Sequence, residues 1–148
     1  MTAPLTYGAP DLKPLHELAP EMQELVARAR DVARHAYNPY SHYAVGAAVR
    51  GESGRVYAGC NVENASYGAT ICAERAAIFA MVAAGERRLH AVAVFAPNEP
   101  LAMPCGLCRQ VIAEFCAEAS VVVAADGGAL ERRFSQLLPE AFRLGGSA

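Results

Sequence analysis

Residues 72–125 decide the fold class, and they read CAERAAIFAMVAAGERRLHAVAVFAPNEPLAMPCGLCRQVIAEFCAEASVVVAA. Within this stretch the spacing of apolar residues predicts a helix over 73–84 and a second helix over 106–117. Continuous apolar runs at 89–96 and 120–125 predict buried strands that follow the two helices. The alternation of helix and strand predicts an α/β fold.

The residues before this stretch predict a lead-in, a helix and a hairpin. Three prolines without sustained periodicity indicate an irregular N-terminal lead-in over residues 1–18, followed by a single domain over residues 19–148. Pro20 and the three-four apolar spacing after it predict a helix that ends near Tyr37. Two apolar runs then flank Gly51-Glu52-Ser53-Gly54, and this pattern predicts an antiparallel hairpin of strands over 43–50 and 55–62.

The C-terminal part is predicted to add one strand and one short helix. Asp126-Gly127-Gly128 is typical of a turn, and it leads into a short apolar run that predicts a strand over 130–134. Ser135 is a suitable N-cap for a short helix before Pro139.

Composition limits the classes of function. The chain has 148 residues, of which 53% are hydrophobic, and 13 basic against 15 acidic residues give a formal net charge of -2. Without a basic run, nucleic acid is an unfavourable partner. Without an apolar stretch of about 18 residues or a leader-like N-terminus, we expect no membrane span and a cytoplasmic location. Five cysteines in a reducing compartment are expected to stay thiols or metal ligands.

Three of these cysteines have the pattern of a catalytic zinc site. Cys72 opens the first helix of the stretch, while Cys105 and Cys108 open the second, so we expect two helix N-termini to stabilise the thiolates. Three sulfur ligands leave one tetrahedral position for water. Glu74 follows Cys72 by two residues and is expected to move protons to and from that water without binding the metal.

Other interpretations of these residues remain open at this point. Cys105 and Cys108 alone could be a redox dithiol, and a purely structural zinc would need a fourth ligand. The four histidines lie in no paired ligand spacing, and we interpret them as surface or core residues; they are His16, His35, His42 and His90. Cys60 and Cys116 are interpreted as small buried hydrophobes.

Five segments in order carry a resemblance to a known family. They are Tyr40 to Ala48, Gly59 to Tyr67, Ile71 to Arg75, Pro104 to Gln110, and Leu137 to Phe142. Over these segments the chain resembles the small homotetrameric zinc-dependent cytidine deaminases, and Cys-Ala-Glu followed by Pro-Cys-x-x-Cys is a zinc-deaminase signature.

The resemblance implies a three-layer α/β/α fold with a mixed five-stranded sheet and one Zn²⁺ per chain. It also implies hydrolytic deamination of cytidine and deoxycytidine in pyrimidine salvage. By the same analogy Asn61 and Glu63 bind the ribose hydroxyls, and the Ala73 backbone with Glu74 binds the pyrimidine edge.

Further roles follow from the resemblance alone. Arg75 and Gln110 support the ligands from outside, and Tyr67 and Phe142 reach into a neighbouring subunit's site. Tyr43 stands where the family more often has phenylalanine, which leaves its contact with the substrate open. The rival functions are a blasticidin-type nucleoside-antibiotic deaminase, a polynucleotide cytosine deaminase, a non-catalytic zinc-binding interaction module and a redox protein.

Overall fold

The computed structural model describes residues 12–97 and 101–145 of the chain, and its centre is a five-stranded sheet in the order β2-β1-β3-β4-β5. Its β3 and β4 pair in parallel, and every other neighbouring pair is antiparallel. The mixed sheet is as expected. The elements are α1 Pro20–Ala33, β1 Gly46–Gly51, β2 Val56–Cys60, α2 Ala73–Ala83, β3 Leu89–Phe95, α3 Gly106–Phe115, β4 Ser120–Ala125, β5 Gly128–Arg133 and α4 Phe134–Leu137.

The strands bury both faces because their side chains alternate between two hydrophobic clusters. On one face, Val92 and Val94 of β3 pack in a cluster that includes residues of α2, α3 and α4. On the other face, Ala93 and Phe95 pack in a cluster with α1. The described residues therefore form three layers, with α1 on one side of the sheet and α2, α3 and α4 on the other.

Two glycines let the helices approach the sheet closely. A Cβ atom on Gly46 of β1 would lie 1.9 Å from the Ala29 carbonyl oxygen of α1. A Cβ atom on Gly59 of β2 would lie 2.4 Å from the Ala77 amide nitrogen of α2. Because no side chain fits at either position, β1 and β2 are pressed against different helices on opposite faces of the sheet.

Several predicted boundaries are wrong by a few residues. The helix predicted to reach Tyr37 ends at Ala33, since the Tyr37 backbone instead bridges to Val62. The last strand begins at Gly128 and ends at Arg133, because pairing starts directly after the Asp126-Gly127 turn. Arg133, not Ser135, is therefore the N-cap of α4.

The first hairpin and the lead-in also differ from expectation. The hairpin strands are shorter than predicted, since residues 43–45 and 61–62 lie outside β1 and β2. Within the predicted irregular lead-in, Leu15–Glu17 form a 3₁₀ turn and Lys13 pairs with Ala129 of β5. The division at residue 18 stays a prediction.

The apolar side chains of α2 extend beyond its buried face. Ala77, Ile78 and Met81 are fully buried, but Phe79 is 48% exposed.

In residues 12–97 and 101–145, no helix combines the length and the apolar character that crossing a membrane requires.

Candidate active site

The Sγ atoms of Cys72, Cys105 and Cys108 lie within 4.8 Å of one another, and we call these three atoms the sulfur cluster. The Cys72 and Cys105 sulfurs are 3.9 Å apart, and the Cys105 and Cys108 sulfurs are 3.6 Å apart. Zinc–sulfur bonds of about 2.3 Å at tetrahedral angles would separate neighbouring sulfurs by about 3.8 Å. The spacing of the sulfur cluster therefore fits a tetrahedral zinc ion.

The register of the sheet explains why two distant helices begin at one point. Cys60 at the end of β2 is opposite Gly46, and Gly46 is opposite Phe95 at the end of β3. Strands β2 and β3 both run antiparallel to β1, so their carboxyl ends lie at the same edge of the sheet. The chain leaves both strands at this edge, where Cys72 is the N-cap of α2 and Cys105 is the N-cap of α3.

The charges around the sulfur cluster favour a cation between the thiolates. The pKa of the Cys72 thiol is lowered to about 5, first because the Cys108 thiol donates a hydrogen bond to it and also because Arg75 lies beside it. The pKa of Cys108 is raised, first by that same hydrogen bond with Cys72 and then by burial. A negative charge on one sulfur thus opposes a second on its neighbour, and a divalent cation would remove this conflict.

Arg75 is placed to balance the remaining negative charge. Its Nη2 atom lies 3.6 Å from the Cys72 sulfur and 3.4 Å from the Thr70 carbonyl oxygen. Its Nε–H is buried without a hydrogen-bond partner among the described residues. The guanidinium therefore acts mainly through its positive charge beside the Cys72 sulfur.

Glu74 is a buried acid in the first turn of α2. It is only 4% exposed, and the pKa of its carboxyl is raised to about 7, chiefly because burial disfavours the charged form and secondarily because the Cys72 charge repels it. Such a carboxyl can both accept and donate a proton near neutral pH. It does not join the sulfur cluster, and no fourth side chain from the described residues does so.

Asn61 and Glu63 hold the loop before β1 in place. The Asn61 amide oxygen accepts a hydrogen bond from the Val45 N–H at 2.9 Å, and its Nδ2 donates to the Tyr43 carbonyl oxygen at 2.8 Å. The Glu63 carboxylate accepts hydrogen bonds from the Tyr40 N–H at 2.8 Å and from Ser41. The hydroxyl of Ser41 is the main reason why the pKa of Glu63 is lowered.

The other predicted binding residues differ in burial and in their contacts. Ala73 is buried beside Glu74, whereas Tyr67 is 78% and Phe142 is 70% exposed. The Tyr67 ring meets the Tyr40 ring edge-on, with centroids 6.1 Å apart. Gln110 was predicted to support the ligands, but the contact that its amide makes is to the Phe142 carbonyl oxygen, at 2.9 Å.

The family model for the cytidine and deoxycytidylate deaminase zinc-binding region matches residues 20–125. This range contains the sulfur cluster and Glu74. The chain belongs to this family. The deaminase relatives include the cytidine deaminase of Sporosarcina psychrophila, which is 44% identical over 124 residues, 82% of this chain and 91% of that protein. The cytidine deaminase of Mycobacterium tuberculosis is 45% identical over 120 residues, covering 81% of this chain and 88% of that protein.

Solved deaminase structures confirm the expected fold. The crystal structure of cytidine deaminase from Burkholderia pseudomallei matches with a TM-score of 0.76 at 42% identity, covering 80% of this chain and 97% of that chain. The structure from Mycobacterium tuberculosis matches with a TM-score of 0.72 at 43% identity, covering 83% and 98% of the two chains. The three-layer α/β/α architecture is thus that of a cytidine deaminase.

One residue of this deaminase site was missed by the sequence interpretation. Arg109 donates from Nε to the Pro104 carbonyl oxygen at 2.7 Å and from Nη1 to the Leu137 carbonyl oxygen at 2.7 Å. It therefore joins the loop before Cys105 to the end of α4. Its position beside Cys108 was the only available signal, since its two acceptors are backbone carbonyls that a sequence pattern does not reveal.

Proposed function

We propose that this protein hydrolytically deaminates cytidine and deoxycytidine to uridine and deoxyuridine, with release of ammonia. The observation that carries the proposal is the sulfur cluster at zinc spacing, with the buried Glu74 two residues after Cys72 and no fourth protein ligand among the described residues. Membership of the deaminase family and relatives named cytidine deaminase at 44–45% identity support the same reaction.

Cys72, Cys105 and Cys108 would hold one Zn²⁺ per chain. When bound, the ion supplies the chemistry that makes water acidic enough to attack C4 of cytosine at neutral pH. Glu74 takes a proton from the attacking water and gives it to N3 of the ring. It then carries the second proton of that water to the departing amino group, so that ammonia leaves and the C4 carbonyl forms.

Burial of Glu74 fits this double role. A carboxyl with a pKa near neutrality accepts a proton in one step and returns it in the next without a large energetic cost in either direction. The Ala73 backbone, adjacent to Glu74 and fully buried, is proposed to bind the polar edge of the pyrimidine.

The sugar would lie against the loop of residues 40–45. Asn61 and Glu63 form hydrogen bonds to the backbone of this loop, and both retain oxygen atoms that can accept from a hydroxyl group. We propose that they bind the ribose hydroxyls and that Tyr43, in the same loop, contacts the substrate.

We further propose that the active protein is a homotetramer in which Tyr67 and Phe142 enter a neighbouring subunit's site. Exposed apolar side chains in the loops and on α2 and α3 support this assembly. The exposed large hydrophobic residues, among those described, are Tyr37, Tyr40, Val62, Tyr67, Phe79, Met103, Leu107, Phe142 and Leu144. A role in pyrimidine salvage in the cytoplasm is part of the proposal, since a reducing compartment keeps the ligand thiols available to metal.

The experiment is an ultraviolet assay of cytidine turnover with native, chelator-treated and zinc-reconstituted protein, with deoxycytidine and blasticidin S as further substrates. We expect turnover of both nucleosides that is lost with zinc and regained on reconstitution. Glu74→Gln should retain zinc but lower kcat by a factor of about 10²–10⁴. Glu114→Gln, an exposed α3 control, should leave kcat unchanged. Near-normal turnover by Glu74→Gln would refute the proton-transfer role, and turnover of blasticidin S alone would refute the substrate assignment.

A further inference from the structure

The segment after α4 is fastened to α3 by side chains. Residues 138–145 form no helix or strand, yet Ala141 packs against the main hydrophobic cluster and Gln110 of α3 binds the Phe142 carbonyl oxygen. The Phe142 ring is nevertheless 70% exposed. The backbone beside this ring is therefore fixed, while the ring itself projects from the chain.

Arg143 makes the strongest of these attachments. Its Nη2 donates to the Cys116 carbonyl oxygen at 2.9 Å, and its Nη1 donates to the Ala113 carbonyl oxygen. Ala113 lies in the last turn of α3, where carbonyl groups lack partners within the helix, and Cys116 is the C-cap residue. A cation is also favoured at this negative end of the helix dipole. The guanidinium thus caps α3 and fixes the residue next to Phe142.

The geometry points to Arg143 as a positioning residue for deamination. By holding the backbone, Arg143 sets the direction in which the Phe142 ring projects toward a neighbouring subunit's site. This inference rests on the proposed function, because it assigns Arg143 an effect on substrate only through Phe142. Gln110 anchors the backbone at the Phe142 carbonyl group, and the Arg143 side chain anchors it at the next residue. Loss of Arg143 would leave the Gln110 hydrogen bond as the nearest restraint on the ring.

A double-mutant cycle tests the inference, because a residue that acts through Phe142 loses its effect once that ring is removed. The variants are Arg143→Ala, Phe142→Ala and the double variant. Arg143→Lys is a second probe that keeps the charge but lacks the planar fork that spans two carbonyls. Arg28→Ala, at an exposed position of α1 on the opposite face of the sheet, is the matched control. The readouts are KM and kcat for cytidine, zinc content and hydrogen exchange of the amides in residues 140–145.

We expect Arg143→Ala to raise KM about tenfold, the loss typical of a hydrogen bond to a charged group, with zinc content unchanged. Arg143→Lys should raise KM less, and both variants should speed hydrogen exchange in residues 140–145. In the Phe142→Ala background, Arg143→Ala should add less than a twofold change in KM. Arg28→Ala should alter none of these values.

Two results would overturn the inference. One is an Arg143→Ala effect on KM that persists in full in the Phe142→Ala background. The other is faster exchange of residues 140–145 with KM unchanged, which would give Arg143 a purely structural role. If Arg143→Ala fails to fold, Arg143→Lys provides the same cycle. Failure of the proposed function can be told apart from failure of this inference, because the wild-type enzyme would then not deaminate cytidine at all. That result would also refute the positioning role of Arg143.

Discussion

Replacing Gly59 with alanine should damage the active site by pushing the N-terminal half of α2 away from β2. The added Cβ would lie 2.4 Å from the Ala77 amide nitrogen and 2.7 Å from the Ala76 Cβ, whereas ordinary contact begins near 3.4 Å. Because the nearest atoms belong to the helix backbone, α2 must retreat from β2 by about 1 Å. Overpacking of this kind typically costs about 1–3 kcal/mol, and we expect the free energy of unfolding to fall by about 2 kcal/mol.

The displaced helix carries Cys72 and Glu74 at its N-terminus, whereas the other two sulfurs belong to α3. A misplacement of about 1 Å can lower a catalytic rate by about 100-fold. Gly46→Ala is the matched control, since its Cβ would collide with the Ala29 carbonyl oxygen at 1.9 Å and displace α1 on the other face of the sheet. Both variants should be destabilised, but only Gly59→Ala should lose zinc and turnover.

The assay combines denaturant unfolding of the zinc-loaded protein, zinc content after gel filtration, and kcat for cytidine at temperatures well below unfolding. Gly127→Ala is a second control, because a Cβ at that turn position would meet no atom within 4 Å. Equal loss of kcat in Gly46→Ala and Gly59→Ala would refute the argument that α2 transmits the displacement. Unchanged stability of Gly59→Ala would refute the packing argument itself.

Three further changes have defined outcomes. Arg75→Gln should weaken zinc affinity about tenfold or more in chelator competition, and Arg75→Lys less, because the cation offsets the sulfur charge; equal affinity in all three proteins would contradict this. The hydroxyl of Ser53 is the main reason why the pKa of Glu86 is lowered. The Glu86 carboxylate therefore stabilises the fold at pH values above its unfolded-state pKa. This stabilisation is lost as the pH falls through the lower folded-state pKa. In Glu86→Gln, the free energy of unfolding should therefore decrease less steeply as the pH falls. The exposed control Glu114→Gln should show the same decrease as wild type. Identical pH dependence in wild type and Glu86→Gln would contradict this. Glu140 has a left-handed φ of 54°, so Glu140→Gly should raise the free energy of unfolding by about 0.5–1 kcal/mol in denaturant titrations, and a decrease would show that the side chain contributes more than its strain costs.

The sulfur cluster and the neighbouring Glu74 were predictable because each half of this set of residues is encoded locally. Cys105 and Cys108 lie within four residues, and Cys72 with Glu74 within three, so helix geometry brings each group together without tertiary information. Apolar periodicity, with turn and cap residues, likewise predicted the four α-helices and five strands of the described residues to within a few residues. The sequence pattern alone does not determine that Cys72 and Glu74 lie beside Cys105 and Cys108 in the fold.

The loop of residues 40–45 was less predictable, since its conformation depends on side chains that come later in the chain. The second hairpin strand was predicted to reach residue 62, but β2 ends at Cys60, so Asn61 and Glu63 both lie just beyond it. There they bind the backbone of the loop, in place of the strand pairing that was predicted to start at Tyr43. A side chain that replaces a ladder hydrogen bond leaves no periodic signal, and the first strand was therefore predicted to start three residues too early.

Convergence of the two halves of the site follows from strand register instead. The residues opposite one another across the sheet are Cys60, Gly46, Phe95 and Ala124, and this row is the edge from which the chain departs toward α2 and α3. A slip of β1 by one residue against either neighbour would turn Gly46 away from α1 and place a side chain in that contact. The close helix approaches at Gly46 and Gly59 thus select the register that brings Cys72 to Cys105 and Cys108 across 33 residues of sequence. The geometry of the sulfur cluster is in this sense a consequence of where the sheet has no side chains.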